Sequence, residues 1–256
     1  MKRKYAIILI LEIVCLGLAG CTTYNAATGR HEFIAISTTE EISLGQAIHE
    51  EILKENTLSE DAARLEKVKT IGSKLAQVSD RQDYVLTFHV IEKDELNAFT
   101  TPGGNVYFYA GLMDKLKTDD QIAFVLAHEI GHGAARHTIK KFQAALGYNL
   151  IGSLILSQLN LEDQSKELAV LGSGALMSVV FSAYGRQDEY EADRLGVKYM
   201  YLAGYDPQAA IESLEVLKSE SHGSYVPLIL RSHPYIDDRI EAVKKEMSTV
   251  KYQYGE

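Results

Sequence analysis

From Ser37 onward the polar and apolar positions alternate at helical spacing. Glu41, Ile42, Leu44, Ile48 and Ile52 follow an i, i+3, i+4 rhythm that predicts an amphipathic helix. A second helix is predicted from about Ser59 to Val78, with Ala63, Leu65, Val68, Ile71 and Leu75 as its apolar stripe and Ser59 and Asp61 as capping residues. Tyr84 to Ile91 alternates and is rich in β-formers, so it reads as a strand. Asn97 to Tyr109 reads as strand, turn, strand around Pro102-Gly103-Gly104. A further helix starts at Thr118 under a Thr-x-x-Gln capping pattern and runs into a strongly apolar stretch.

Two long uncharged stretches follow, Phe142 to Leu161 and Leu168 to Gly185. A membrane-spanning helix needs about 20 predominantly apolar residues. Gln143, Asn149, Gln158 and Asn160 interrupt the first stretch, and glycine and serine the second, so a helical hairpin packed on the body is expected for 142–185. Beyond it, Val179, Val180, Leu195, Val197 and Met200 suggest one long helix. No repeat, low-complexity segment or linker divides residues 37–256, which read as a single domain.

The start of the chain reads differently. Lys2, Arg3 and Lys4 precede an apolar run, Tyr5 to Leu18, that ends in Leu18-Ala19-Gly20-Cys21. This is the layout of a secretory signal, and its ending resembles a bacterial lipobox, which implies lipidation of Cys21 after cleavage of residues 1–20. Residues 21–36 then form a lipidated tether. Thr22 after the lipid cysteine implies sorting to the outer membrane, with the body facing the periplasm.

The composition of the 256 residues, 46% hydrophobic and 24% charged, is that of a globular protein. Removing Lys2, Arg3, Lys4 and Glu12 with the signal leaves 23 basic against 34 acidic residues, a net charge of −11. That balance excludes a nucleic-acid binder and makes the lipid, not a basic patch, the means of holding a membrane. The two cysteines both lie within the first 21 residues, which excludes a disulfide scaffold or a four-thiolate zinc site.

The chemistry lies in the helix Gln121-Ile-Ala-Phe-Val-Leu-Ala-His128-Glu129-Ile130-Gly131-His132. Two histidines four apart share one helical face, so both imidazoles can reach one Zn²⁺, and Glu129 can act as general base toward water. The longer H-E-x-x-H-x-x-G-x-x-H form is absent, because Ala135 and Thr138 stand where its glycine and third histidine would be. A third ligand is therefore sought downstream. Glu189 and Asp193 are four apart and share a face, one to bind metal and the other to orient a ligand. Six further histidines (His31, His49, His89, His137, His222 and His233) are scattered, and most read as surface or satisfied core groups.

Together the His128–His132 and Glu189–Asp193 segments resemble the HtpX/CAAX-prenyl-protease type zinc metallopeptidases, metallopeptidase family 48, over roughly residues 35 to 248. The resemblance implies an α+β, zincin-like fold, mainly helical, with a small sheet whose edge strand borders the active-site helix. It implies one Zn²⁺ per chain on His128, His132 and Glu189, with Asp193 behind them. It places substrate along an edge strand marked by Asn97, Gly103, Gly104 and Asn105, with Asn105 to Tyr109 as its exposed side. From Ser232-His233-Pro234 and Asp238-Arg239 it implies that His233 can sit over the zinc as a removable ligand. Arg239 then faces the active site, where it can stabilise an oxyanion or a substrate carboxylate. The 15 tyrosines leave any oxyanion tyrosine open. The implied function is a zinc-dependent endopeptidase of misfolded or unassembled envelope polypeptides. The alternative is a non-proteolytic assembly factor for outer-membrane proteins on the same fold.

Overall fold

A computed structural model describes residues 22–158, 173–222 and 224–254. The signal segment, Cys21 and the tip of the expected hairpin, 159–172, lie outside the described residues. The strap after Cys21 is a small antiparallel hairpin of β1 (Thr22–Asn25) and β2 (Arg30–Phe33), closed by a turn in which Gly29 takes φ +67°.

Helix α1 (Thr38–Glu55) opens with a reciprocal cap: the Ser37 side chain accepts from Glu40 N–H, and Glu40 accepts from Ser37 N–H at 2.8 Å. Helix α2 (Ala62–Val78) is capped by Asp61, which accepts from the N–H groups of Ala63 and Arg64. It starts later than predicted because Ser59 donates its backbone N–H to Val90 O, extending a sheet rather than opening a helix.

That sheet has three strands, β3 (Thr87–Ile91), β4 (Ala98–Thr100) and β5 (Asn105–Tyr109), in the order β3-β5-β4. β5 runs parallel to β3 and antiparallel to β4. Asn105 to Tyr109 is thus the central strand, with Val106 to Tyr109 buried, which corrects the expectation that it forms the exposed side of an edge. A strand paired on both sides has no free backbone groups to offer a peptide. The outer strand beside the active-site helix is β4. Gly103 (φ +75°) and Gly104 (φ +89°) form a tight turn against α1 and Tyr84. A Cβ on Gly104 would meet the Tyr84 ring at 2.6 Å, so glycine there lets the turn pack closely.

After α3 (Ala110–Lys115) comes α4 (Asp119–Ala134), capped by Thr118, with every residue from Gln121 to Ala134 buried. The remaining helices are α5 (His137–Gln158), α6 (Ser173–Val180), α7 (Arg186–Ala203), α8 (Gln208–Ser219), α9 (Leu228–Ser232) and α10 (Ile236–Tyr254). α4 is wrapped by α2, α7, α8 and β4, and α7 makes the most extensive contact with it. Two glycines set their separation: a Cβ on Gly131 would meet Ala192 O at 2.9 Å, and one on Gly196 would meet His128 N at 3.2 Å. At the far end of α4, Arg81 binds both oxygens of the buried Glu41 at 2.6 and 3.0 Å and donates to Gly133 O, tying α1 to the core.

The single long helix expected through Val179 to Met200 is two helices. The chain breaks between Val180 and Arg186, where Tyr184 N–H donates to Ser232 O at 3.0 Å and Gly185 N–H donates to Asp188 at 3.2 Å. Phe181 packs edge-on against Phe99 at 5.0 Å. Phe142 and Val180, at the base of the expected hairpin, lie in a buried cluster with Ile48, Ile52, Phe99 and Tyr107. Among the described residues no helix is long and apolar enough to cross a membrane.

Candidate metal centre and active site

The close passage of α4 and α7 places the side chains of His128 and His132 opposite Glu189 and Asp193. The turn after α9 adds His233. The Nε2 atoms of His128 and His132 are 3.0 Å apart. Glu189 Oε1 lies 3.4 Å from His132 Nε2, and its Oε2 lies 3.7 Å from His128 Nε2. His233 Nδ1 lies 3.2 Å from His128 Nε2 and 3.1 Å from Glu189 Oε1. All four residues are buried, and their donor atoms fall within 4.8 Å of one another.

These distances can be tested against zinc. Tetrahedral ligands about 2.0–2.1 Å from the ion stand roughly 3.3–3.4 Å from each other, which the measured 3.0 to 3.7 Å separations bracket. The two oxygens of Glu129 and Nε2 of His233 have no hydrogen-bond partner although all are buried. A buried carboxylate without a hydrogen-bond partner is costly, and a cation held by the neighbouring donors answers that deficit. The donor set of two imidazoles, a carboxylate and a third imidazole fits Zn²⁺.

The electrostatics around the donors are strongly organised. Burial by itself would raise the Glu189 carboxyl, but Arg239, His233 and hydrogen bonds from His132 and His233 hold it well below the usual carboxylate range. Burial likewise opposes ionisation of Asp193, and Arg239 together with His128 overcomes it. Burial depresses His132 well below the ordinary imidazole value, keeping it in the neutral form a metal requires.

Asp193 stands behind the metal site, with Oδ1 2.8 Å from His128 Nδ1. Arg239 reaches the site, yet its donors are engaged: Nε and Nη2 on Asp193 at 2.8 and 2.7 Å, and Nη1 2.9 Å from Glu189 Oε2 and 3.3 Å from His233 O. In this structure it organises the metal donors. Asn97 is buried and accepts at its backbone carbonyl from Tyr109 N–H; Gly103, Gly104 and Asn105 sit at the sheet, not at the metal donors.

Two residues were not singled out from sequence. Tyr184 stacks on His132 with ring centroids 3.8 Å apart, and Lys141 Nζ lies 3.8 Å over the same tyrosine ring. His137 lies against the other ring nitrogen of His132. Both stand five residues from a ligand across a helix break, a spacing that helical periodicity hides.

A buried H-E-x-x-H helix completed by a carboxylate from a later helix defines a zincin-type metallopeptidase centre. The chain belongs to peptidase family M48, whose pattern matches residues 62–247, and zinc is the metal of its site. It is similar to the Beta-barrel assembly-enhancing proteases of Yersinia pestis (26% identity over 223 residues, 84% of this chain and 46% of the relative) and Escherichia coli strain K12 (28% over 212 residues, 80% and 43%). It is also similar to the mitochondrial metalloendopeptidase OMA1 of Schizosaccharomyces pombe (28% over 226 residues, 87% and 65%). The chain spans less than half the length of the two bacterial relatives it matches.

Proposed function

We propose that this protein is a zinc endopeptidase of the bacterial cell envelope that cleaves misfolded or unassembled envelope proteins. The observation that carries the reading is the convergence of His128, His132 and Glu189 beside a buried Glu129 with both oxygens unpartnered. The three ligands would hold one zinc ion, which supplies Lewis acidity and lowers the pKa of water to near 7. Glu129 takes the proton of the attacking water and returns it to the leaving amine. Asp193 and Arg239 hold His128 and Glu189 in place. An extended client lies along β4, the outer strand beside α4, so unfolded chains are the natural substrates.

His233 serves as a removable fourth ligand. Its Nδ1 completes the set of donors, so the described conformation is latent and opens when the turn after α9 withdraws. The names of the bacterial relatives support an envelope setting and clients of the outer membrane. The signal-like start and Cys21 support a lipoprotein of the outer membrane facing the periplasm.

The test pairs zinc content with cleavage of casein by wild type and Glu129→Gln. Stoichiometric zinc in both, with turnover lost by about 10²–10⁴-fold in the variant, is the expected result. Zinc without cleavage by wild type or by a latch-free His233→Ala variant would overturn the peptidase reading in favour of an assembly factor.

A further inference from the structure

The two metal histidines are held from behind in different ways. His128 gives Nδ1 to an anion, Asp193. His132 gives Nδ1 to another imidazole: Nδ1 of His137 lies 3.0 Å away. His137 Nε2 lies 3.2 Å from Glu191 Oε2, and that oxygen also accepts from Arg30 Nη2 at 2.9 Å. His132 and His137 are fully buried, and Glu191 is half-buried.

With zinc on His132 Nε2, one arrangement of protons satisfies every atom of this row. With the Nε2 lone pair of His132 directed at the metal donors, the ring proton sits on Nδ1 and is donated to His137 Nδ1. His137 then carries its own proton on Nε2 and donates it to Glu191. A carboxylate thus terminates the row and polarises both rings toward the metal.

The backbone is shaped for this contact. Had α4 continued as a helix, a residue five positions after His132 would lie about 140° around the axis, facing away from it. Instead the chain turns at Arg136, which takes φ +59° in the left-handed region that a long side chain seldom adopts, and α5 begins immediately after it. His137 is the first residue of that helix and points back at His132.

The outer end of the row meets the β1–β2 hairpin. Besides Arg30 on Glu191, the hairpin is fastened to the same helices by Glu32 on Lys140 at 2.8 Å and by Arg194 donating to Ala27 O at 2.8 Å.

We infer that His137 and Glu191 are positioning residues that fix the ring orientation and the Nδ1–H tautomer of His132 in the metal site. The relay rests on the metal reading above. It is tested on the full chain with Zn²⁺ and with Co²⁺ as a spectroscopic stand-in, in wild type, His137→Leu, His137→Asn and Glu191→Gln. Zinc affinity is read by chelator competition, ligand geometry by the visible Co²⁺ bands, and folding by circular dichroism.

His137→Leu is expected to weaken zinc binding 10–100-fold and to shift the Co²⁺ bands. His137→Asn, which keeps an acceptor where Nδ1 stood, should recover most of that affinity, and kcat should fall in His137→Leu with KM held. Glu191→Gln should weaken zinc in the same direction with its fold intact. Wild-type zinc affinity and Co²⁺ bands in His137→Leu overturn the relay. Should that variant not fold, wild-type values in Glu191→Gln overturn it instead. A wild-type protein without stoichiometric zinc removes the metal reading itself, a result distinct from failure of the relay alone.

Discussion

His233 stands between the metal donors and Glu129, with Nδ1 3.2 Å from His128 Nε2 and Nε2 3.4 Å from Glu129 Oε1. As a fourth ligand, this one ring would cover both the open metal position and the general base. Because His233 sits in the short turn between α9 and α10, a movement of that turn frees both at once.

Replacing His233 with alanine should raise kcat/KM on an unfolded substrate. If the ring covers the site about nine-tenths of the time, its removal gives about a tenfold gain, since apparent affinity scales with the competent fraction. Steady-state cleavage of casein or a fluorogenic peptide is the check, and a loss of activity with zinc retained would sink the latch.

Arg239 is buried between Asp193 and Glu189. Removing one partner of such a set leaves uncompensated buried charge and costs about 3–5 kcal/mol. Arg239→Ala should lower the urea midpoint of the metal-free protein accordingly. Arg239→Lys should recover only part of this, because a single ammonium cannot grip Asp193 through two parallel hydrogen bonds.

Gly131 faces Ala192 where α4 and α7 approach most closely. Gly131→Ala forces these helices apart and should cost about 1–3 kcal/mol. Zinc affinity should fall with it, because Glu189 moves away from the histidine pair. Chelator competition and thermal unfolding measure the two effects, and an unchanged zinc affinity would show that helix separation does not set the site.

Acid should destabilise the metal-free protein through its histidines before its carboxylates. Burial, with His49 nearby, pulls His89 from 6.5 down to about 4. Between those values the unfolded chain holds a proton that the folded one does not, so stability is full above about 6.5 and falls as the pH drops toward 4. Buried His132 acts in the same sense. Glu189 and Asp193 are held low, so their contribution is present above about 4 and is lost only below it. His89→Gln should flatten the fall in urea midpoint between pH 7 and 5; a slope equal to wild type would remove His89 from the account.

The helical rhythm, with capping residues at Asp61 and Thr118, made α1, α2 and α4 legible, because spacing and caps are local properties, whereas α3, α8, α9 and α10 were not read. The two pairs that meet at the site were legible too, His128 with His132 and Glu189 with Asp193, each one helical turn apart; that Glu189 is the ligand came from the family resemblance. What periodicity could not show was pairing at long range. The central place of β5 depends on β3 and β4 closing on both its sides, and an apolar strand reads alike at an edge or a centre. The break before Arg186 was masked by apolar residues on either side of it. His137 was hidden because its contact with His132 arises from a left-handed turn at Arg136, not from any repeat.

The hairpin that begins at Thr22 has a mechanical consequence. Sixteen residues in extended form could reach about 50 Å, a leash long enough to let an enzyme sweep the periplasm. Here residues 22–33 are folded back on the catalytic body and fastened by Arg30, Glu32 and the carbonyl of Ala27. Were Cys21 to carry a lipid, this fastening would shorten the reach of the catalytic body from the bilayer.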